Sequence, residues 1–158
     1  MKSTSTAHDQ LVLDVRSRTF SNGATIPVEY TCDGRNVNPP LAFSGTPKEA
    51  KSLALIVDDP DAPAGTWLHW LVWNIPVTKD IDENVIPGEQ GMNDFGHVNY
   101  GGPCPPSGTH HYYFRVYALD AWLDLDAGST RKQLEEAMEG HRVAYGELVG
   151  VYQRNKPR

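Results

Sequence analysis

Three short segments of this chain carry residues that could do chemistry. DDPDAP, Asp58 to Pro63, places three carboxylates within four residues. WLHW, Trp67 to Trp70, holds His69 between indoles. GGPCPPSGTHHYYF, Gly101 to Phe114, runs from flexible glycines and rigid prolines into paired histidines and tyrosines. A carboxylate beside a histidine fixes its tautomer or favours the imidazolium. Successive backbone N–H groups in a glycine-rich loop form an anion-binding concavity. Together Asp59, Asp61, His69, His110 and Tyr112 point to a small pocket for an anionic head group. Trp67 would supply an apolar wall. The obstacle is charge: a phosphate is repelled unless the histidines are protonated or hydrogen-bonded by the aspartates.

Each segment also has a plainer reading. Asp and Pro both favour turns, so DDPDAP serves as a chain reversal. A lone histidine on an apolar strand is commonly a satisfied core residue. The glycine–proline stretch can be a decorated hairpin loop. The three become specific only if their strands are neighbours and the groups meet at one rim.

The elements that must position them are mostly strands. SLALIVDD, Ser52 to Asp59, is a continuous apolar run, which suits a strand buried on both faces. TWLHWLVWNIP follows after DPDAPAG. Strict alternation puts Trp67, His69, Leu71 and Trp73 on one face, with Leu68, Trp70 and Val72 on the other. HYYFRVYALD is a third strong strand. On it His110, Tyr112, Phe114 and Val116 share a side, and His111 and Tyr113 point away. Residues 11–20, LAFSG and AYGELVGVYQR read as further strands, with SNGATIP a turn into VEYTC. Residues 77–100 read as a long loop. One helix is expected, with Thr130 and Gln133 as a capping box, Leu134, Ala137 and Met138 as its apolar stripe, and Gly140 as its stop. Many strands and one late helix predict a mainly β sandwich. Residues 1–10 read as a polar, mobile tail, and 11–158 as a single domain.

Composition excludes several classes. The 158 residues carry a net charge of −6, and no basic run is longer than Arg131-Lys132. A nucleic-acid partner, which needs clustered cations, is not expected. No apolar run reaches a membrane span. The opening MKSTSTAHDQ has no apolar core of a signal peptide, so the expectation is cytoplasmic. There are two cysteines, Cys32 and Cys104, both in Gly/Pro-rich loops. In a reducing compartment two free thiols are the default, yet a chain reversal could bring these together as a disulfide or close pair. A metal site built on the thiolates lacks Cys-x-x-Cys spacing. No cofactor motif is present, nor a Gly-x-Ser-x-Gly elbow, a Walker loop or a zinc-protease helix. Cys104 would act as a nucleophile only with His69 or His110 within hydrogen-bond reach.

DPDAP, TWLHWLVWN and GGPCPPSGTHHYYFRVYALD, in that order, resemble the phosphatidylethanolamine-binding protein family. They are most similar to its bacterial and archaeal, Raf kinase inhibitor-like or YbhB/YbcL-like, branch. YTCDGRNVNPPL and AYGELVGVY fit as well, so the resemblance spans Leu11 to Tyr152. It implies a Greek-key β-sandwich with an anion pocket at one end. The family's pocket carboxylates fall on Asp59 and Asp61, its tryptophan and histidine on Trp67 and His69, and its His-x-Tyr on His110 and Tyr112. Its Gly-Pro loop falls on Gly102 to Pro106. The implied ligand is phosphate, a phosphorylethanolamine-like head group or a simple anion, bound without catalysis or cofactor. A protease or kinase partner and a homodimer are further implications, as is a cis bond at Ala62–Pro63. The sequence departs from the animal members in lacking their long C-terminal capping helix, which implies a more open site.

Overall fold

The computed structural model describes residues 11–154. The polar tail expected over residues 1–10 lies outside them. Eight strands and one helix form two antiparallel sheets: β1 (Asp14–Arg16), β2 (Leu41–Ser44), β3 (Ser52–Asp59), β4 (Trp67–Pro76), β5 (Asp80–Ile81), β6 (Glu89–Gln90), β7 (His110–Leu119), α1 (Arg131–Met138) and β8 (Arg142–Tyr152). The smaller sheet has the order β1-β2-β5 and the larger β6-β4-β3-β7-β8.

β3 sits at the centre of the larger sheet, and all eight of its residues are buried. Its two faces serve different layers. Leu53, Leu55 and Val57 join Phe114, Val116, Leu41 and Phe43 in the core between the sheets. Ala54 and Ile56 join Leu134 and Met138 of α1 on the outer face. Each such leucine, isoleucine or valine contributes about 1.5–3 kcal/mol on burial. The alternation then decides the fate of the two aspartates at the strand's end. Asp58 falls on the helix side and Asp59 on the inter-sheet side.

Asp58 has about 1 % of its side chain exposed and meets both Arg115 (Nε to Oδ2, 3.1 Å) and Arg131 (Nη1 to Oδ2, 2.8 Å). Burial works against the Arg115 charge, but the hydrogen bonds it donates to Asp58 and Tyr145 outweigh that and hold the guanidinium protonated. Arg131 is the first residue of α1, so this ion pair also ties the helix to the sheet. The helix starts as its sequence predicts. Thr130 accepts the Gln133 N–H, and the Gln133 side chain accepts the Thr130 N–H.

Three expectations need correction. Residues 11–20 form only the three-residue β1. After the SNGATIP turn, Val28–Tyr30 forms a 3-10 turn, closed by the Thr31 hydroxyl on the Val28 carbonyl. The loop over residues 77–100 contains two short strands, β5 and β6. Among the described residues no peptide bond is cis, so Ala62–Pro63 is trans. Asp59 Oδ1 accepts the Asp61 N–H at 2.8 Å, and the Gly65 N–H donates to Ala62; these two turns reverse the chain without a cis bond.

Cys32 and Cys104 form a disulfide, with Cα atoms 5.4 Å apart across 72 residues of sequence. The two free thiols of the default reading are absent among the described residues. Cross-linking a loop of that length removes chain entropy from the unfolded state equivalent to about 4 kcal/mol. A Cys32→Ser/Cys104→Ser double variant is therefore expected to lose about 2–4 kcal/mol in urea denaturation. Unchanged stability would show that the bond does no stabilising work in the folded chain.

Candidate functional site

At one end of the larger sheet β4, β3 and β7 lie side by side, with Asp59 opposite Trp67 and Asp58 opposite Tyr113. The strands that carry the three chemical segments are thus neighbours. A cavity of about 380 Å³ opens at this rim. Asp59, Trp67, His69, His110 and Tyr112 all line it, as do Cys104 and Pro106.

Asp59 and His110 form a buried pair, Nδ1 to Oδ2 at 2.6 Å. The His110 Nδ1–H donates to the carboxylate, and among the described residues no group bonds Nε2 of this ring, which lines the cavity. His69 is 3 % exposed. Its Nδ1–H donates to the Gly101 carbonyl at 2.6 Å, which fixes the tautomer and leaves Nε2 an acceptor. Burial pushes the His69 pKa below the usual histidine range, against the opposing pull of the Gly101 and Gly102 backbone and Asp59. His69 is therefore the neutral ring of the site.

A β-bulge explains how His69 reaches the cavity. Val57 pairs with Trp70 but Asp58 pairs with Leu68, so β4 carries one extra residue between them. Bulges re-aim side chains in this way. Leu68 packs with Leu71 and Trp73 against the helix layer, while Trp70 and Val72 lie between the sheets. The four-residue face of Trp67, His69, Leu71 and Trp73 expected from alternation does not exist. Instead the His69 ring stands edge-on to Tyr112, with centroids 5.3 Å apart.

Tyr112 is 0 % exposed, and its hydroxyl has no hydrogen-bond partner among the described residues. Burial first, and the Asp59 charge second, push its pKa well above the ordinary phenol range. The hydroxyl lies near Asp59 and the Cys104 backbone, in accepted hydrogen-bond geometry with neither. An unpaired buried donor costs about 1–3 kcal/mol, which a ligand oxygen would recover.

Two predicted residues stand apart from this cluster. Asp61 does not line the cavity. Its Oδ2 accepts both the backbone N–H and the ring Nδ1–H of His111, at 2.8 and 2.7 Å. Those bonds hold its carboxyl below the usual range. His111 is the outward neighbour on β7, and it draws the second carboxylate away from the site. Gly102 lies against a separate cavity of about 280 Å³. Its N–H donates to Asn36 Oδ1 at 2.8 Å, and a Cβ there would sit 2.4 Å from the Tyr30 carbonyl. Gly101 gives its N–H to the His69 carbonyl. Prolines 103, 105 and 106 have no N–H to give. Of the loop's first six residues, only Cys104 has an amide not given to a carbonyl or an asparagine, and that amide lies beside the Tyr112 hydroxyl oxygen. The loop acts mainly as a wall.

Sequence reasoning missed Phe95. Its ring stands edge-on to Trp67 at 5.5 Å and to His69 at 5.3 Å, and it lines both cavities. Asn93, buried in the same loop, places it. The Asn93 Oδ1 accepts the Phe95 and His97 N–H groups, and its Nδ2 donates to the His69 and Asn99 carbonyls. The available signal was an aromatic residue set inside the turn-forming stretch Asn93-Asp94-Phe95-Gly96. Ala62, Pro63, Ala64 and Pro105 complete apolar walls.

The arrangement sets Asp59, His69, His110 and Tyr112 within an apolar enclosure. Among the described residues no serine or threonine lines the cavity, and the Cys104 sulfur is held in the disulfide. Among the described residues no three His, Cys, Asp or Glu side chains are grouped to hold a metal ion. No described helix is long and apolar enough to cross a membrane.

The family model described as phosphatidylethanolamine-binding protein matches residues 16–153. A UPF0098 protein of Pyrococcus abyssi is 53 % identical over 149 residues, covering 87 % of this chain and 84 % of the relative. One from Methanothermobacter thermautotrophicus is 49 % identical over 150 residues, covering 90 % and 99 %. Among solved structures, a putative phosphatidylethanolamine-binding protein homologue from Chlamydia trachomatis superposes with a TM-score of 0.88 at 44 % identity, covering 92 % of this chain and all of that one. E. coli YbcL, described as a new member of the mammalian family, gives 0.83 at 32 % identity, covering 90 % and 99 %.

The low His69 pKa makes a stability prediction. A histidine whose folded pKa lies below its unfolded value of about 6.5 adds stability that is complete above that pH. The contribution is lost as pH falls from there to the folded value. The stability difference between wild type and His69→Asn, which keeps a donor for Gly101, is expected to shrink on acidification below about pH 6.5. The slope is at most about 1.4 kcal/mol per pH unit. A difference that stays constant from pH 8 to 5 in urea denaturation would show that His69 is not held neutral.

Proposed function

The chain belongs to the phosphatidylethanolamine-binding protein family, and from that premise we propose a non-enzymatic binding protein whose rim cavity takes a small oxyanion. Phosphate or a phosphorylethanolamine-like head group is the ligand class. The observation that carries this reading is the unpartnered Tyr112 hydroxyl in a cavity shared with the Asp59–His110 pair. His110 Nδ1 is held by Asp59, so an oxyanion binds here with one proton shared between its oxygen and His110 Nε2. Tyr112 O–H and the Cys104 N–H complete a set of three donors. Donors already desolvated and fixed before binding need little reorganisation to accept a charge.

A protein-interaction role for the same chain is favoured by the loop over residues 77–100. Ile86, Met92, Phe95 and Val98 expose large apolar side chains there. A protease or kinase partner would be held by this surface. Inhibition that survives loss of the cavity residues would support that role over the anion reading.

Calorimetry with phosphate and with phosphorylethanolamine, at millimolar ligand, tests the primary reading. Wild type is expected to bind at least one of them. Tyr112→Phe removes one hydrogen bond to a charged group, about 1.5–3 kcal/mol, or at least tenfold in Kd. His110→Ala is expected to abolish binding. Failure of wild type to bind either ligand would overturn the reading.

A further inference from the structure

The cavity's walls say more about the ligand than its donors do. Trp67, Phe95, Pro63, Pro105, Pro106 and Ala64 enclose about 380 Å³, with neither lysine nor arginine among the lining residues. Asp59 contributes the one carboxylate, so each added ligand charge is opposed there. Inorganic phosphate would meet three donors and leave the apolar walls wet. We propose that the preferred ligand is a singly charged oxyanion carrying a compact apolar group, and that Phe95 selects that group. This inference rests on the anion reading and adds the ligand class and its specificity residue.

Phe95 is the wall best placed to discriminate. It is 39 % exposed, so the fold does not depend on its burial. Its ring packs over Gly101, where a Cβ would come within 2.5 Å of it, and stands edge-on to Trp67 and His69. Behind it lies the second cavity, lined by Asn36, His97, Asn99 and Tyr100. The ring therefore divides a strongly apolar chamber from a more polar one. Removing it opens the first into the second and replaces an apolar wall with amides and an imidazole. An apolar group on the ligand loses its contact surface, while the oxyanion keeps Tyr112, His110 and Cys104.

Two matched pairs of probes test this by calorimetry at pH 7.5: acetate against benzoate, and inorganic phosphate against phenyl phosphate. The aryl member of each pair is expected to bind at least tenfold tighter to wild type. Phe95→Ala is expected to cut that ratio below threefold, weakening the aryl member more than the small one. Phe95→Leu, which keeps an apolar wall, is expected to retain most of the preference. Benzoate, a single charge, is expected to bind tighter than phenyl phosphate, which carries nearly two at this pH. Equal affinities within both pairs, or equal weakening of both members in Phe95→Ala, would overturn the assignment to Phe95 and the apolar group. A tighter phenyl phosphate would overturn the single charge. If no probe binds, the anion reading falls and this one with it, an outcome distinct from small anions binding without an aryl preference.

Discussion

The structure depends on the cost of ending a fully buried central strand with two carboxylates. Asp58 and Asp59 follow Val57 on β3, and both are at most 3 % exposed. An uncompensated buried charge is prohibitive, so each must find a partner on its own face. Alternation sends them opposite ways. Asp58 draws Arg115 from β7 and Arg131 from α1, which fastens the helix layer to the sheet. Asp59 draws His110 from β7 and the Asp61 amide, which shapes the cavity floor and the turn beside it. One dipeptide thus anchors a structural ion cluster and a candidate binding site, separated by the thickness of one sheet.

Much of this was legible in the residues. The buried run of β3, the alternation on β7 and the capping box of α1 depend on local periodicity, and they stand where the sequence puts them. So does the meeting of Asp59, Trp67, His69, His110 and Tyr112, once the three strands are neighbours. What escaped was set by non-local competition. The bulge at Leu68–Trp70 turns His69 onto the Tyr112 side against strict alternation, and no sequence period marks it. Asp61 was assigned to the pocket beside Asp59, yet His111 offers it two donors on the outer face. Phe95 enters from a loop whose path is fixed by four hydrogen bonds to one buried asparagine.

The glycine–proline stretch shows why donor counting must follow every N–H to its partner. Read as sequence, it promises a cradle of backbone amides. In the fold, Gly101 donates to His69, Gly102 donates to Asn36, and the prolines have nothing to donate. Its rigidity serves other ends. Gly101 lets the Phe95 ring lie against the chain, and Gly102 lets the loop pass 2.4 Å from where a Cβ would meet the Tyr30 carbonyl. The disulfide then fixes Cys104 to the turn that follows Tyr30. The outcome is a stiff wall with a single amide not given to a carbonyl or an asparagine.

That economy bears on how selective such a site can be. Three donors on rigid supports, one of them a tyrosine hydroxyl with no partner, discriminate strongly between oxyanions and ligands that cannot accept. They discriminate weakly among oxyanions, because each presents similar oxygens to the same three points. Finer selection has to come from the net charge tolerated beside Asp59 and from the shape of the apolar enclosure. The first is set by the Asp59–His110 pair, the second by Trp67, Phe95 and the prolines. On the proposed reading, polar groups therefore decide that an oxyanion enters, and the apolar walls decide which one stays.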